Sequence, residues 1–361
     1  MKKLTWCAVA QSPYNDFLLS VLNQSFDLEV YYREKEMKTH PWKIKSVDYR
    51  LNYMTGNFFR AMKRVMSSDI VWVSGWSYWQ HILIMLLPMR SAKKVYWTDT
   101  VDVSEEKWSG LKGFFRKQLV KLVFRNFDQV WSTGNPGCEA LEKLGCKREK
   151  IRSFPFFHDL TRYLNINSEK SQQALAFRNR YSNENDGVIF LVMGQVASKK
   201  RFQDSIHALS KLEDKRAILW IAGSGPQEEE LKSLCSKLNV LERVKFMGWI
   251  QPDDVELAFI SADVFVHPSE IDPFPTVVLD AMTWGKPIIG TRQAGSVVDR
   301  ITPGKNGFIY PAGDLNLLTK HMNYFTENSS EIIKFGLEAR KTACDYPVSM
   351  AVDRFQSLLV G

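Results

Sequence analysis

Cysteine and long apolar runs are scarce in this chain of 361 residues. Its five cysteines are an odd number and form no Cys-x-x-Cys pair, so a disulfide framework or a zinc site is disfavoured. Reduced, buried thiols in a cytosolic protein are expected instead. The longest apolar run, Ile82–Met89, has eight residues, whereas a membrane-spanning helix needs about 20. The chain is therefore predicted not to cross a membrane.

A secretion signal and a metal-binding motif are also missing. The start Met1-Lys2-Lys3 imitates a signal peptide, but the apolar stretch Leu4–Ala10 is short and no A-x-A cleavage site follows it. A buried first strand is the better interpretation, and the chain is expected in the cytoplasm. No Asp-x-Asp motif follows a predicted strand, which predicts chemistry without a metal or another cofactor.

Acidic residues are scarce relative to basic ones in the first half. Residues 1–160 carry 25 Lys and Arg against 16 Asp and Glu, whereas the remainder carries 23 against 24. Eight of the eleven tryptophans also precede residue 160. The two halves are therefore expected to have different surfaces and different partners.

The basic excess is concentrated in Lys107–Arg125, which has six cations, no acid and apolar residues at helical spacing. Such a segment is either a basic amphipathic helix that lies on an anionic membrane surface or a helix packed by its apolar face with a solvated basic face. Both interpretations stay open. Nucleic-acid binding is disfavoured, because no base-reading motif accompanies the charge.

The length predicts about two domains. In each half, short apolar runs alternate with helical segments, which is typical of parallel sheets covered by helices on both faces. Predicted strands in the first half are Leu4–Ala10, Leu28–Tyr32, Ile70–Ser74, Val95–Thr98 and Gln129–Ser132. Predicted strands in the second half are Val188–Met193, Ala217–Ala222, Val244–Met247, Val264–His267, Pro287–Gly290 and Gly307–Tyr310. Both halves are therefore predicted to be doubly wound α/β domains, whose ligands bind at the carboxyl ends of the strands.

Three motifs follow predicted strands of the second half. Gly194 ends a strand and precedes Gln195 and three cations, Lys199, Lys200 and Arg201, which could grip a phosphate at a helix start. Gly223 begins a turn in which three glutamates follow, so we interpret it as a turn near the ligand and not as a phosphate cradle. Trp249 follows a third strand and could stack on a base or pack in the core.

The fourth motif is the most specific. A loop with Glu270, Asp272, Phe274 and Pro275 opens a helix at Thr276, whose first N–H groups favour an anion. Val277 and Asp280 lie in the first turns of that helix. Carboxylates suit a ligand rich in hydroxyl groups, and amides at a helix start can hold a diphosphate.

Taken together, these motifs resemble the retaining glycosyltransferases of family 4 (glycosyl transferases group 1). The similarity is strong over roughly residues 188–315 and weaker over Val130–Asp159. The family's signature is a Glu, seven residues and a second Glu; here the spaced residues are Asp272 and Asp280. Lys200 matches the family's phosphate-binding Lys, and Gln195 stands where an Arg is usual, with Lys199 or Arg201 able to compensate.

The resemblance implies an α/β protein of the GT-B fold, with two Rossmann-like, doubly wound parallel-sheet domains facing across a cleft. It implies an acceptor-binding domain over residues 1–158, a nucleotide-sugar domain over residues 159–345 and a C-terminal helix over residues 346–361 that packs back on the first domain.

The implied activity is retaining transfer of a sugar from a nucleotide sugar to an acceptor hydroxyl, in polysaccharide, glycolipid or other glycoconjugate synthesis. The implied acceptor is a sugar or a lipid-linked or phosphorylated molecule, with peripheral contact to an anionic membrane as an open alternative. Catalysis is assigned to Asp99, Lys200 and Asp272. Candidate donor-binding residues are Gly194, Gln195, Lys199, Lys200, Arg201, Gly223, Trp249, Glu270, Asp272, Phe274, Pro275, Thr276, Val277 and Asp280. Candidate acceptor-side residues are Tyr14, Asn15, Asp16, Trp76, Tyr78 and Asp99.

Two alternatives remain. The chain could be another GT-B enzyme, such as a sugar-nucleotide epimerase or a phosphorylase. It could also be a non-catalytic protein of this fold that binds a nucleotide or a membrane, which the two Asp substitutions and Gln195 would favour.

Overall fold

The computed structural model describes residues 1–34, 46–75, 79–89, 91–99, 108–161, 166–182 and 186–360, with only the backbone described at Pro13 and Tyr14. The chain forms two compact units. The first comprises Met1–Phe157 and Pro347–Gly361, and the second comprises His158–Tyr346.

The first unit is built on a parallel sheet of seven strands in the order β3-β2-β1-β4-β5-β6-β7. Its strands are β1 Lys3–Ala10, β2 Asp27–Glu34, β3 Arg50–Tyr53, β4 Ile70–Ser74, β5 Lys93–Thr98, β6 Gln129–Ser132 and β7 Ile151–Ser153. Its helices are α1 Pro13–Asn23, α2 Phe58–Met66, α3 Trp79–Leu86, α4 Gly110–Asn126 and α5 Asn135–Lys143. The strands are continuously apolar because helices cover both faces of the sheet.

The second unit has a parallel sheet of six strands in the order β10-β9-β8-β11-β12-β13. Its strands are β8 Ile189–Met193, β9 Ile218–Ala222, β10 Val244–Gly248, β11 Val264–His267, β12 Ile288–Thr291 and β13 Gly307–Tyr310. Its helices are α6 Ser168–Ser182, α7 Phe202–Lys211, α8 Glu228–Lys237, α9 Pro252–Ser261, α10 Thr276–Thr283, α11 Gly295–Arg300, α12 Leu315–Glu327 and α13 Ser329–Ala343. The prediction of two doubly wound parallel-sheet domains is confirmed.

The C-terminal helix α14, Ala351–Val360, belongs to the first unit. The ring of Phe355 lies 5.2 Å from the ring of Trp72 and 5.2 Å from that of Trp131. The backbone oxygen of Leu358 accepts a hydrogen bond from Nε2 of Gln129 at 2.5 Å. This helix therefore closes the aromatic side of the first unit's core.

The surplus of tryptophan in the first half is largely a property of this core. Trp6 and Trp72 stack with ring centroids 5.0 Å apart, and Trp97 and Trp131 pack around them. These four side chains and Trp108 are buried. The expectation that the tryptophans signal a distinct surface is wrong for these five residues. The sheet and helix α14 enclose Trp6, Trp72, Trp97 and Trp131, and helix α4 covers Trp108.

The expectation of buried thiols holds for four cysteines and is wrong for the fifth. Cys7, Cys138, Cys146 and Cys235 are buried, whereas Cys344 is exposed just beyond the end of helix α13. Among the helices of the described part of the chain, none is both long and apolar enough to span a bilayer.

His158, the first residue of the second unit, is a buried histidine that burial keeps neutral. Burial, assisted by the nearby Arg300 guanidinium, lowers the pKa of His158 to about 4, and its backbone N–H donates to the oxygen of Tyr346 at 3.0 Å. Because the folded pKa lies below the unfolded value of about 6.5, this histidine contributes stability above that pH and loses it as the pH falls toward 4.

We therefore expect the free energy of unfolding of the wild type to fall by roughly 3 kcal/mol more than that of His158→Gln between neutral pH and pH 4. Denaturant titration at a series of pH values measures this difference. His207→Gln, which changes a half-buried histidine of helix α7, is the matched control. Parallel pH profiles for the wild type and His158→Gln would contradict the assignment.

Candidate functional site

The sheet of the second unit reverses its strand order beside β8. The chain winds from β8 outward through β9 to β10 and then returns to place β11 on the opposite side of β8. Loops that follow two such neighbouring strands diverge from the same edge, which makes the reversal point the usual ligand site of doubly wound sheets. Here those loops are residues 194–201 after β8 and residues 268–275 after β11.

Lys200 and Asp272 meet between these two loops. Nζ of Lys200 donates to Oδ2 of Asp272, and the two side chains are 17% and 13% exposed. Nε2 of His267, the last residue of strand β11, lies 3.1 Å from the same carboxylate oxygen. Within the described residues no protein donor contacts Oδ1 of Asp272, so one carboxylate oxygen is held and the other is available to a ligand.

The electrostatics of this group keep Asp272 ionised. Burial alone would raise the pKa of Asp272, but the hydrogen bond from His267 and the charge of Lys200 outweigh burial and lower it to about 2. Burial lowers the pKa of His267, so its ring is neutral near pH 7. Because Nδ1 is shielded and has no partner among the described residues, the proton of this ring is assigned to Nε2, which donates to Asp272.

Two glycines allow the strand ends beside this group to approach each other closely. Gly194 and Gly223 have φ values of +141° and +142°, which side-chain-bearing residues rarely adopt. A Cβ atom on Gly223 would lie 1.8 Å from the backbone oxygen of Gly194. The backbone N–H of Gly194 donates to the oxygen of Ala222 at 2.9 Å. The sequence pattern predicts a turn near the ligand at Gly223, and the close neighbour of this glycine in the structure is protein backbone.

The cations around Lys200 have different surroundings. Arg201 has a left-handed backbone, with φ 51°, and its Nε donates to Oδ2 of Asp204 at 2.8 Å. Its Nη1 lies 3.6 Å from Oε2 of Glu270. Lys199 is exposed, and its backbone oxygen accepts from the N–H of Glu270 at 2.9 Å. Two carboxylates thus hold Arg201, whereas the side chain of Lys199 faces solvent.

Helix α10 begins at the end of the loop that carries Asp272. Pro275 precedes its first residue, and the backbone oxygen of Pro275 accepts from Oγ of Ser296 at 2.9 Å. The first turn contains no acidic residue, so its N–H groups keep their attraction for an anion. Phe274 is buried under the loop, whereas Thr276, Val277 and Asp280 are half-buried.

The remaining donor-side candidates flank this edge of the sheet. Gln195 follows Gly194 and is half-buried. Trp249 follows strand β10 and is also half-buried, and its Nε1 is shielded from solvent without an acceptor among the described residues. Such an unpartnered donor costs free energy unless a ligand or water completes it.

In the first unit, the acceptor-side candidates follow strands on both sides of the corresponding reversal, between β1 and β4. Asp16 is held by Nε2 of Gln11 at 2.9 Å and by the hydroxyl of Tyr49 at 2.5 Å. Burial is the main cause that raises the pKa of Asp16. Asn15 lies in the first turn of helix α1, where its N–H donates to Oγ of Ser12 at 3.4 Å. These contacts give Asp16 and Asn15 structural roles at the start of helix α1.

Other acceptor-side candidates are less completely placed. Asp99 is exposed directly after strand β5, and its backbone oxygen accepts from Oγ of Ser132 at 3.4 Å. Tyr14 lies on helix α1, but its side chain is outside the described structure. Trp76 and Tyr78 lie outside the described residues. Across the described residues, no group of three or more His, Cys, Asp or Glu side chains is arranged to hold a metal ion.

This geometry lies within a region of recognisable sequence. Residues 175–342 match the family Glycosyl transferases group 1. The group 1 match covers slightly less than half of the chain, all of it in the second unit, and includes Lys200, His267 and Asp272.

Individual relatives agree with the group 1 match. An uncharacterized glycosyltransferase of Methanocaldococcus jannaschii is 34% identical over 142 residues, which are 39% of this chain and 36% of that protein. The lipopolysaccharide core biosynthesis glycosyltransferase LpsE of Rhizobium meliloti is 30% identical over 192 residues, 53% of this chain and 52% of that protein. The chain thus spans about a third to a half of the length of the curated relatives it matches.

Solved structures resemble the chain over its whole length. Anabaena Alr3699/HepE, crystallised with UDP, superposes with a TM-score of 0.81 over 99% of both chains at 15% sequence identity. At this identity the likeness shows the fold alone, and it shows that the two Rossmann-like units are those of the GT-B architecture.

His267 is the side chain of this site that the sequence patterns did not single out. It was assigned to a strand, and its position at the last residue of that strand, five residues before Asp272, is the signal that could have found it. A polar residue at the carboxyl end of a buried strand next to a reversal point is a candidate for a ligand site.

The close approach of Gly223 to Gly194 gives a test of the site's backbone. We expect Gly223→Ala to lower the free energy of unfolding by more than about 2 kcal/mol, because it combines a disfavoured φ with a backbone collision. Gly304→Ala, at φ +77° in open space, is the matched control, with an expected cost of about 1 kcal/mol. Chemical denaturation measures both values, and equal costs would show that the collision is relieved.

Proposed function

We propose that this protein is a retaining glycosyltransferase of family 4, which transfers a sugar from a nucleoside-diphosphate sugar to an acceptor hydroxyl. The second unit would bind the donor, and the first unit would bind the acceptor. The Lys200–Asp272–His267 group at the reversal point, inside the region of the group 1 match, is the observation that carries the proposal. The retaining and family 4 assignments rest on the spacing of Asp272 and Asp280.

The donor's diphosphate would lie between Lys200 and the first turn of helix α10. As the sugar leaves, negative charge grows on the departing diphosphate, and a fixed cation with oriented backbone N–H groups stabilises that charge. The ion pair with Asp272 positions Nζ before the donor arrives, so little reorganisation is needed. Lys199 is the exposed cation beside this site that could replace the usual Arg at Gln195, since two carboxylates already hold Arg201.

The sugar and ribose would be held by carboxylates. Asp272 is ionised near pH 7, and its Oδ1 has no protein donor, so this oxygen would accept a hydrogen bond from a hydroxyl of the donor sugar. Asp280 would accept from the ribose hydroxyls. His267 would fix the orientation of Asp272 through Oδ2, which keeps the second oxygen pointed toward the ligand.

The acceptor belongs, in this proposal, to the loops of the first unit. Asp99 would orient the acceptor hydroxyl or take its proton, and it is exposed at the end of strand β5. Among the proposed acceptors, a phosphorylated molecule such as a phosphorylated lipid carrier fits the basic excess of residues 1–160, and a sugar is the other acceptor class. The relative LpsE is named as a glycosyltransferase of lipopolysaccharide core biosynthesis, which supports a role in glycoconjugate synthesis.

Lys200→Ala is expected to lower kcat/KM by at least about 30-fold, equivalent to about 2 kcal/mol of transition-state stabilisation. The loss should appear in kcat, because the charge it stabilises develops during the reaction. Steady-state transfer or donor hydrolysis measures the effect. Lys211→Ala, an exposed lysine at the end of helix α7, is the matched control and should leave turnover unchanged. Unchanged turnover of a folded Lys200→Ala variant would refute the phosphate role.

The transfer is proposed to need no metal, because Lys200 and the helix start supply the positive potential. We expect activity to persist in the presence of a chelator such as EDTA. Loss of activity that only Mg²⁺ or Mn²⁺ restores would contradict this assignment.

A further inference from the structure

Helix α4 of the first unit has two apolar faces. Gly113, Val120 and Phe124 are buried against the unit's core. Leu111, Phe115 and Leu122 lie on the opposite side, because separations of four and seven residues return to one face of a helix. The side chains of Leu111 and Phe115 are 73% and 63% exposed, and that of Leu122 is 44% exposed.

This outcome differs from both sequence-based interpretations of Lys107–Arg125. Each assumed a single apolar face, opposite a solvated basic one. In the structure the inward face packs on the core, and the outward face is itself apolar. Packing of the fold therefore does not account for the outward apolar residues.

Basic side chains line both flanks of the outward face. Lys112 lies on one flank, and Lys121 and Arg125 lie on the other, all within about 100° of the centre of the outward face. Arg116 and Lys117 lie further round the helix, toward its buried side. All five residues are exposed, and helix α4 contains no acidic residue. An apolar stripe with cations on both flanks matches the surface of an anionic bilayer, where acyl chains lie beneath phosphate groups.

The neighbouring helix extends the same character. Helix α3 packs against helix α4, and it also lacks acidic residues. Its Trp79 and Leu83, one turn apart, are 62% and 41% exposed. Tryptophan is suited to the boundary between headgroups and acyl chains, because its ring is apolar and its N–H is polar.

We propose that the outward face of helix α4, with Trp79 and Leu83 of helix α3, docks this protein on the surface of an anionic phospholipid bilayer. The charge and the leucines of this face favour an anionic bilayer over two other partners. A second copy would bring the cations of the two chains against each other, which repel. Single-stranded nucleic acid stacks on aromatic rings but gains nothing from the exposed leucines, which an acyl boundary accommodates.

Exposed apolar residues of the second unit provide a contrast. Ile333 and Leu337 lie one turn apart on helix α13 and are 72% and 60% exposed. The same helix also carries Glu331 and Glu338, which pair with Lys334 and Lys305 respectively at 3.1 Å. Its two acidic residues offset most of its three basic ones, whereas helix α4 has five basic residues and no acidic one, so Ile333 and Leu337 are the control.

The proposal is tested by co-sedimentation of the full chain with vesicles of phosphatidylcholine alone or mixed with phosphatidylglycerol. We expect binding to the mixed vesicles that weakens with added salt. The double variant Lys112→Gln/Lys121→Gln should lower the partition coefficient about 25-fold, at about fivefold for each cation. Leu111→Ala/Phe115→Ala should lower it at least about tenfold.

The controls are Lys237→Gln/Lys341→Gln and Ile333→Ala/Leu337→Ala, which remove the same classes of exposed side chain from the second unit and should bind as the wild type does. Equal binding by all variants, or no preference for phosphatidylglycerol, would overturn the proposal. So would wild-type binding to a single-stranded oligonucleotide without binding to vesicles, or lipid-free dimerisation that Leu111→Ala/Phe115→Ala abolishes. The assay uses neither donor nor acceptor, so its outcome is independent of the proposed glycosyl transfer.

Discussion

The ion pair between Lys200 and Asp272 is the interaction on which the candidate site depends. Both side chains are largely shielded from water, so their attraction is offset by the cost of removing two charges from solvent. Such a pair contributes little net stability, yet removal of either partner leaves a charge without compensation. In the proposed function the pair fixes a cation and a carboxylate at the point where a charged, hydroxyl-rich ligand would bind.

The fold makes this pair possible through the reversal of strand order at β8. Lys200 and Asp272 are 72 residues apart in sequence, and only the placement of β11 beside β8 brings their loops together. Gly194 and Gly223 then allow the backbones of the adjoining strand ends to contact each other, because neither residue has a side chain that would lie between them. His267 completes the arrangement from the end of β11, since its single donated proton orients the carboxylate.

Much of the fold could be predicted from the sequence, because buried parallel strands are continuously apolar and the first and last residues of such runs can be recognised. The strands at Gln129–Ser132, Val264–His267 and Gly307–Tyr310 have the predicted limits. Strands β3 and β7 were missed, since β3 has four residues at the sheet edge, none of them fully buried, and β7 has three residues. No helix was predicted in the second unit where α6, α9, α11, α12 and α13 lie.

Individual contacts of the site were beyond sequence reasoning for a physical reason. The spacing of residues along a chain indicates which residues share a loop, but it does not indicate which carboxylate forms an ion pair with a given cation. Arg201 pairs with Asp204 and Glu270, whereas Lys200 pairs with Asp272, and the spacing does not reveal the left-handed backbone at Arg201 that separates the two cations. The outward apolar face of helix α4 was likewise hidden, because two opposite apolar stripes leave little contrast in the sequence pattern.

The central claim is that the Lys200–Asp272 pair marks a nucleoside-diphosphate site. It is tested most directly by the unfolding temperature of the wild type and of Lys200→Ala against a panel of nucleoside diphosphates and their sugars. The account predicts that at least one of them stabilises the wild type and Lys211→Ala, and that Lys200→Ala loses this stabilisation. Stabilisation by none of them, or equal stabilisation of Lys200→Ala, would contradict it.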